Sequence, residues 1–351
     1  MAGKAQDVLN TIKPKRVIYP ILIGLAAAAY MLYSNFDASA FINIHWTWSS
    51  TFWIFMALLM VVVRDLGYMI RIRILSDKKI SWRNSFDVIM LWEFASALTP
   101  SIVGGTAVAI FIVNKEGINV GKSSAIVLIT ALMDEVFFVM MVPILFFLVG
   151  ESNLFPINLS KELFGMTFST KGLFFLSYII IAFYVLIIVY GLIFKPRGLK
   201  WTLLKIFQLP FLRKWRGNAL ETGNEILLAS QEIRGKGFGF WFKAFAATFF
   251  SWTARYWVVN FLILAFVGLS WNDHLLIYAR QLVMWIIMLI SPTPGGSGVA
   301  EFVFAGFLKE FTPVGLESAL AILWRLFSYY PYLFIGAIVL PRWIRRVFAK
   351  K

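Results

Sequence analysis

Near its C-terminal end, inside an apolar region, the chain reads Thr293-Pro294-Gly295-Gly296-Ser297-Gly298-Val299-Ala300. An earlier apolar region is interrupted by Thr99-Pro100-Ser101-Ile102-Val103-Gly104-Gly105-Thr106-Ala107-Val108-Ala109. Both runs contain Thr-Pro, Gly-Gly, a hydroxyl residue and Val-Ala, with three extra residues before Gly-Gly in the earlier run. Proline has no amide hydrogen and disfavours helix in the preceding residue, so each run should break a helix. One helix break is therefore predicted in each half of the chain.

The composition is typical of a membrane protein. Of the 351 residues, 60% are apolar and 15% are charged, and the mean hydropathy is +0.77. Apolar runs recur at about twenty residues, which is the length that a helix needs to cross the hydrocarbon of a bilayer. We therefore expect an all-α polytopic membrane protein without a soluble catalytic domain.

Residues suited to metal binding are scarce. The chain has no cysteine and two isolated histidines, His45 and His274. Neither a disulfide framework, a thiolate metal site nor a helical pair of zinc-binding histidines is expected, so no cofactor is predicted. The formal charge of +15 comes from basic residues that flank apolar spans, where they meet anionic lipid head groups. Membrane lipids, and no nucleic acid, are the expected partners.

Hydropathy divides the chain into crossings and broken segments. Six spans are long enough to cross a membrane as single helices. Two further apolar stretches contain the breaks and are predicted to be re-entrant hairpins. The six spans are Val17–Ser34, Ser50–Ile70, Ser123–Val149, Leu173–Phe194, Trp241–Gly268 and Ser318–Leu340, and the two hairpins are Phe86–Val113 and Leu275–Leu308.

Loop charges set the orientation, because cytoplasmic loops collect Lys and Arg. The basic loop from Arg71 to Arg83, the turn with Lys115 and Lys122, and both termini then lie in the cytoplasm, as in a bacterial inner-membrane protein. The outer side receives only Lys161, Lys171 and Lys309. Four full crossings in place of two hairpins would leave the termini on the same side. The charges therefore fix the termini but do not decide between the two topologies.

A basic loop, residues 195–240, separates a first half, 1–194, from a second half, 241–351. Apolar residues are interleaved with its charges, so it resembles a pair of amphipathic helices on the anionic inner leaflet. A solvated linker between two halves of a transporter is the alternative. The basic residues of this loop are Lys195, Arg197, Lys200, Lys205, Arg213, Lys214, Arg216, Arg234 and Lys236.

The two breaks are the predicted transport site. If the first hairpin enters from the cytoplasm and the second from outside, the halves form an inverted repeat, which typically binds substrate at its centre. Thr106 and Ser297 are expected to cap the returning half-helices, whose free N–H groups would attract an anion. The alternative is a pair of packing kinks. The candidate substrate-binding residues at the breaks are Thr99, Pro100, Gly104, Gly105, Thr106, Thr293, Pro294, Gly295, Gly296 and Ser297.

Charged residues inside the apolar spans form a second set of candidates. Each costs at least about 2.5 kcal/mol at the bilayer centre unless it faces a partner or water, so they should line a polar cavity. Arg255 and Arg280 are expected to bind an anionic head group, and Glu301 to complement a helix dipole at the substrate site. Structural ion pairs are the alternative, and for Arg64 we expect snorkelling to the interface. The candidates for proton or ion coupling are Glu93, Asp134 and Glu135.

The run from Pro292 to Glu301, together with the Leu-Thr-Pro-Ser break at Leu98 to Ser101, resembles the flippase-like transmembrane family typified by the membrane part of lysylphosphatidylglycerol synthase. The resemblance covers most of the chain. It implies movement of a polar-headed lipid between leaflets, such as aminoacylated phosphatidylglycerol or a polyprenyl-linked sugar. The chain stops eleven residues after Leu340. No aminoacyl-transferase domain, and hence no lipid synthesis, is expected.

The leading hypothesis is therefore a lipid flippase that is not an enzyme. The sequence contains no Gly-x-x-x-x-Gly-Lys-Ser/Thr nucleotide-binding loop, so an ion gradient or the lipid gradient should drive transport. One alternative is an enzyme that modifies a lipid head group in the same cavity, which would need a paired general base. Another is a scaffold that holds a separate lipid synthase through residues 195–240.

Overall fold

The computed structural model describes residues 46–98, 102–156, 161–163, 166–210, 213–289 and 299–348. The predicted first span, Val17–Ser34, lies outside the described residues, as do two groups of candidate site residues. These are Thr99 and Pro100 in the first break, and Thr293, Pro294, Gly295, Gly296 and Ser297 in the second.

The described residues are almost entirely α-helical, as the composition predicts. The helices are α1 (Trp48–Leu75), α2 (Trp82–Leu98), α3 (Ile102–Lys115), α4 (Val120–Val149), α5 (Thr170–Ile193), α6 (Pro196–Ile206), α7 (Arg216–Ile233), α8 (Phe238–Leu264), α9 (Trp271–Leu289), α10 (Val299–Leu308), α11 (Glu317–Ser328) and α12 (Tyr330–Phe348). Single 3-10 turns cover Glu151–Asn153, Arg213–Trp215 and Lys309–Phe311. One short antiparallel hairpin pairs β1 (Lys161–Leu163) with β2 (Met166–Phe168).

Four helical segments of the described chain are long and apolar enough to cross a membrane: α1, α4, α5 and the pair α11–α12. Their outer surfaces are apolar; in α4, for example, the Phe147 side chain is 90% exposed. The predicted span Trp241–Gly268 forms the 27-residue helix α8, which is less apolar because Lys243, Arg255 and Asn260 interrupt it. Large exposed apolar surfaces of this kind are expected where lipid replaces water.

The predicted span Ser318–Leu340 falls within the candidate membrane span Glu317–Phe348, but its helix is interrupted at Tyr329. Helix α11 ends at Ser328 and α12 begins at Tyr330. Pro331 accounts for the break, because it has no N–H to donate to the backbone oxygen of Phe327 and its ring crowds that oxygen, while the missing N–H is harmless in the first turn of α12. The structure therefore contains a helix break at Tyr329 that the hydropathy profile does not reveal.

The first predicted break, at residues 99–101, lies outside the described residues, with α2 and α3 on either side of it, and Gly105 plays a different part from the one expected. Helix α2 ends at Leu98 and α3 already begins at Ile102. Thr106 therefore lies inside α3 and does not cap it, contrary to the prediction. Gly105 instead permits close packing, since a Cβ at this position would lie 2.5 Å from Ser96 Oγ and 3.3 Å from Ser96 Cα. Small residues allow two helices to approach each other in this way.

Helices α1 and α8 pack along their lengths and form the centre of the bundle. Gly67 of α1 faces Ser251 of α8 so closely that a Cβ would clash with its side chain. The Ser251 hydroxyl donates to the backbone oxygen of Arg64 over 3.1 Å. One apolar core lies around α8–α11 and the second half of α4, and another around α1–α3, the first half of α4 and α12.

Both ends of the α2–α3 segment meet the C-terminal end of α12. Arg346 of α12 lies 3.1 Å from Asp87 in α2 and also pairs with Glu116, just after α3. Trp343 donates from Nε1 to Glu116 over 2.7 Å, and Arg342 lies 2.6 Å from Asp87. The α2–α3 segment therefore leaves and returns to one end of the bundle.

The α9–α10 segment is held at the other end of α4. Arg280 of α9 donates to the backbone oxygens of Phe307, in the last turn of α10, and of Asn153, just beyond α4. Helix α4 has 30 residues and so extends for about 45 Å. Its start lies beside Glu116 and its end beside Asn153, so the two broken segments are anchored at opposite ends of α4.

Candidate functional site

A buried ion pair links α1 to the first broken segment. Arg64 Nη2 lies 2.6 Å from Glu93 Oε2, and the Arg64 side chain is 3% exposed. The prediction that Arg64 snorkels to the interface is therefore wrong, because a carboxylate on α2 offers it a partner inside the bundle. Glu93 retains 26% exposure. We call Arg64, Glu93 and the neighbouring Asp65, Tyr332 and Arg255 the central polar site.

Asp65 joins this site to α12. Its two carboxylate oxygens accept from the Tyr332 hydroxyl over 2.9 and 3.0 Å. The guanidinium of Arg64 lies over the Tyr332 ring, 4.7 Å from its centroid, and 3.8 Å from Asp65. Sequence reasoning missed Tyr332, because a tyrosine in an apolar span gives no signal of the helix it faces.

Arg255 lies in the second half of α8 and differs from the paired arginines Arg64, Arg71 and Arg280. Within the part of the chain that the structure describes, its half-buried side chain makes no salt bridge or hydrogen bond. Its guanidinium lies 5.1 Å from the centroid of the Trp252 ring. It is also close enough to Asp65 and Glu93 to interact with both charges. Arg255, the residue predicted to bind the head group, therefore lies at the central polar site. Its N–H donors form no hydrogen bond with the described residues.

Helix α2, helix α10 and the break between α11 and α12 are connected beside the central polar site. The Tyr329 hydroxyl, between α11 and α12, donates to the backbone oxygen of Ala97 at the end of α2. The ring of Tyr329 lies 3.9 Å from the guanidinium carbon of Arg325. Arg325 Nε in turn lies 3.2 Å from Glu301 Oε1, in the first turn of α10. Glu301 therefore occupies the dipole-complementing position predicted for it and also pairs with a cation.

Asp134 is held by two partners, Arg71 and Trp252, at mid-length in α4. Arg71 Nη1 lies 2.5 Å from Asp134 Oδ1, and Trp252 Nε1 donates to the same oxygen over 2.7 Å. Arg71 also donates to Thr248 over 3.0 Å. The assignment of Arg71 to a cytoplasmic loop is therefore wrong, since α1 continues to Leu75 and buries this side chain. Glu135, the next residue, has a buried Oε2 with no hydrogen-bond partner among the described residues.

Arg280 is engaged by the protein through its three nitrogens. Beside the two backbone bonds, Nη2 lies 2.7 Å from Glu310. The side chain is 4% exposed. In this conformation Arg280 links α9 to the end of α10 and to the turn after α4. Its role as a head-group ligand remains a prediction.

Asp77, between α1 and α2, forms a charge cluster at the basic end of the bundle. It pairs with Lys122 of α4 and lies 2.6 Å from Lys236, which precedes α8. Partial burial would raise the pKa of the Asp77 carboxyl, but the hydrogen bonds and charges of the two lysines outweigh it and hold the pKa below its ordinary value. This cluster ties the α1–α2 loop to α4 and to the segment before α8.

No three His, Cys, Asp or Glu side chains of the described ranges come together in a way that could hold a metal ion.

Comparison with known proteins places the chain in a membrane family. A family model described as the lysylphosphatidylglycerol synthase TM region matches residues 17–336. A UPF0104 membrane protein of Archaeoglobus fulgidus is 25% identical over 293 residues, which are 82% of each chain. No solved structure matches. Because the family model covers most of the sequence, the chain belongs to the family of lysylphosphatidylglycerol synthase transmembrane regions.

Proposed function

We propose that this protein moves a polar-headed lipid between the leaflets of a bacterial inner membrane. The observation that carries the proposal is the connection of α2, α10 and the break between α11 and α12 beside a charged site within the bundle, through Ala97, Tyr329, Arg325 and Glu301. Helix breaks and charges at membrane depth are costly and are found where protein surrounds a substrate path. A lipid head group would cross through this site while its acyl chains remain in the bilayer.

The anchoring of the broken segments supports an inverted arrangement. The α2–α3 segment is anchored by Arg346 near the start of α4, and the α9–α10 segment by Arg280 near its end. In the proposed topology both are re-entrant hairpins that enter from opposite sides, and both termini are cytoplasmic. Six full crossings then include Val17–Ser34 and α8. Alternating access in such folds opens one side of a central site at a time.

The central polar site offers a contact for the anionic part of the head group. Arg255 has no carboxylate within salt-bridge distance among the residues described, whereas Arg64 has two, Glu93 and Asp65, and Arg71 has one, Asp134. A guanidinium can hold a phosphate through two parallel hydrogen bonds. We assign Arg255 the phosphate contact, with the two breaks on either side of the path.

Helices α6 and α7 are proposed to rest on the cytoplasmic leaflet. Helix α6 follows α5 directly, and the exposed Phe194 lies between them. In α6, Trp201 is 61% exposed and Lys205 lies 4.9 Å from its ring. An exposed tryptophan beside basic residues favours the interface of an anionic membrane.

The test is reconstitution into liposomes with labelled phospholipids, aminoacylated phosphatidylglycerol among them. Leaflet exchange is scored by a membrane-impermeant quencher, and Arg255→Gln protein at equal density is the matched control. We expect exchange of at least one lipid with the wild type and none above empty liposomes with the variant. Absence of exchange for every lipid would overturn the proposal, and a chemically altered head group would identify an enzyme.

A further inference from the structure

Asp134 and Glu135 are adjacent in α4, yet their surroundings differ. Asp134 receives Arg71 and Trp252, so its charge is balanced and its orientation fixed. Glu135 lies on a different face of the helix, because consecutive side chains are about 100° apart. Its Oε2 is buried and accepts no hydrogen bond from the described residues. A buried carboxylate oxygen normally accepts a hydrogen bond, so this oxygen needs an explanation.

Among the described residues, the elements packed on α4 give Glu135 no cation. The charged or titratable side chains that interact with it are Asp134 on its own helix and Tyr184 on α5. The arginines of the neighbouring helices have other partners. Arg71 of α1 pairs with Asp134, and Arg280 of α9 pairs with Glu310. Arg255 of α8 lies over the Trp252 ring. The segments beside the start of α4 carry charged side chains of their own. These lie with Lys122 and Asp77 at the basic end of the bundle, and they are Glu116, Glu232 and Lys236.

We propose that Glu135 is the proton-binding group that couples lipid movement to a proton gradient, and that Asp134 is a structural anchor. The inference rests on the proposed transport function. Glu135 accepts one proton to become a neutral carboxylic acid, the form that an apolar surrounding without a cation accommodates. Release of that proton on the other side leaves a carboxylate that must reach water. Because Asp134 is fixed by Arg71 and Trp252, movement of Glu135 toward water also moves the centre of α4 against α1 and α8.

The test uses the full chain in liposomes that contain a pH-sensitive dye. An imposed gradient of the transported lipid should change the internal pH with the wild type. The change should be lost in Glu135→Gln, which keeps the shape of the side chain but holds no proton. Glu151→Gln is the matched control, because Glu151 is 45% exposed in a surface pair with Lys171, and it should behave as the wild type.

Infrared spectroscopy gives a second measurement that does not require transport. The carbonyl stretch of a protonated carboxyl should be present in the wild type and absent in Glu135→Gln. Its presence in both proteins would overturn the assignment to Glu135. If Glu135→Gln fails to fold, Glu135→Asp, which retains the carboxyl, should keep the infrared signal and the pH change.

The outcomes separate the two proposals. No lipid exchange with the wild type would refute the transport function, while the infrared signal still tests the protonation of Glu135. Lipid exchange without a pH change would overturn proton coupling and leave transport standing. Dependence of exchange on a sodium or potassium gradient, with no pH change, would assign the coupling to a metal cation and would also overturn the inference.

Discussion

The hydroxyl of Tyr329 donates a hydrogen bond over 3.1 Å to the backbone oxygen of Ala97, 232 residues earlier in the chain. Ala97 lies next to Leu98, the residue at which the described part of α2 ends. Tyr329 is itself the residue between α11 and α12. The Tyr329 side chain, at the break between α11 and α12 in the second half, therefore donates to a backbone oxygen near the described end of α2 in the first half.

Tyr329→Phe should slow lipid exchange while leaving most of the fold intact. The variant removes one buried hydroxyl and leaves the Ala97 oxygen unsatisfied, which costs about 1–3 kcal/mol. We expect a lower unfolding temperature in detergent and slower exchange in liposomes. Tyr330→Phe is the matched control and should lose neither. Equal behaviour of the two variants would show that the Tyr329–Ala97 bond does not link the two halves functionally.

Gly105→Ala should loosen the α2–α3 segment. The added Cβ would lie 2.5 Å from Ser96 Oγ, which is closer than two such atoms tolerate, so one helix must shift. Exchange should fall while membrane insertion is retained. Adding Ser96→Ala removes the oxygen and should restore part of the exchange, whereas Gly105→Val should stay inactive with either residue at position 96. Normal exchange in Gly105→Ala alone would mean that close packing here is not needed for transport.

The positions of the described helices could largely be predicted, because hydropathy acts locally. The helix ends at Leu98 and Ile102 surround the predicted Thr99-Pro100 break. The break at Tyr329 was missed although Pro331 signals it, since a hydropathy window averages over one proline in an apolar run. The part played by Gly105 also depends on a neighbour, Ser96, that local sequence does not reveal.

The pairing of charges could not be predicted. Hydropathy gives the depth of a residue along a helix but neither the direction of its side chain nor the helix beside it. Arg71 was placed in a loop, yet it binds Asp134, 63 residues away. For the same reason, the sequence does not distinguish Asp134 from Glu135 as a coupling candidate. In the described part of the structure Asp134 pairs with Arg71, whereas Glu135 has no counter-ion.

The topology can be tested by single cysteines, since the chain has none of its own. A cysteine in place of Lys115, at the end of α3, should react with an impermeant thiol reagent from the cytoplasmic side. A cysteine in place of Lys309, just after α10, should react from the outside. Permeabilised cells provide the control for reactivity. Labelling of both positions from one side would remove the inverted arrangement.

Asp77→Asn should destabilise the basic end of the bundle in a pH-dependent manner. Asp77 has a positive φ of 53°, which asparagine tolerates, so the substitution removes mainly the charge. Because the pKa of Asp77 is lowered in the folded state, its stabilisation is present above the unfolded pKa, about 3.9. It is lost as the pH falls through the lower folded value. Its side chain is 38% exposed, so we expect a loss of about 1 kcal/mol or less at neutral pH.

Thermal unfolding in detergent, followed by tryptophan fluorescence, measures this effect. The difference between wild type and Asp77→Asn should shrink as the medium is acidified through the folded pKa. Glu221→Gln, at an exposed position of α7, should show no difference at any pH. If the difference in unfolding temperature between wild type and Asp77→Asn does not change with pH, the charge of Asp77 does not stabilise the cluster.

Arg255→Gln should abolish exchange without loss of protein, whereas Arg71→Gln should lose protein. Arg71 neutralises Asp134, and removal of one partner of a buried pair typically costs about 3–5 kcal/mol because a charge is left unpaired. Arg255 has no such partner among the described residues, so its removal strands no carboxylate. Arg255→Lys should keep a fraction of the exchange, because lysine retains the charge but cannot hold a phosphate through two parallel bonds.

Double variants distinguish a structural ion pair from a phosphate contact. Protein abundance and lipid exchange are measured for each variant. Arg71→Gln combined with Asp134→Asn should regain abundance, since neither charge remains. Arg255→Gln combined with Asp134→Asn should stay inactive, and so should Arg255→Gln with Glu135→Gln, because a missing phosphate contact is not restored by removing a carboxylate. If either Arg255 double variant recovers both abundance and exchange, Arg255 is one half of a structural pair. The phosphate contact would then have to belong to another residue of the central polar site.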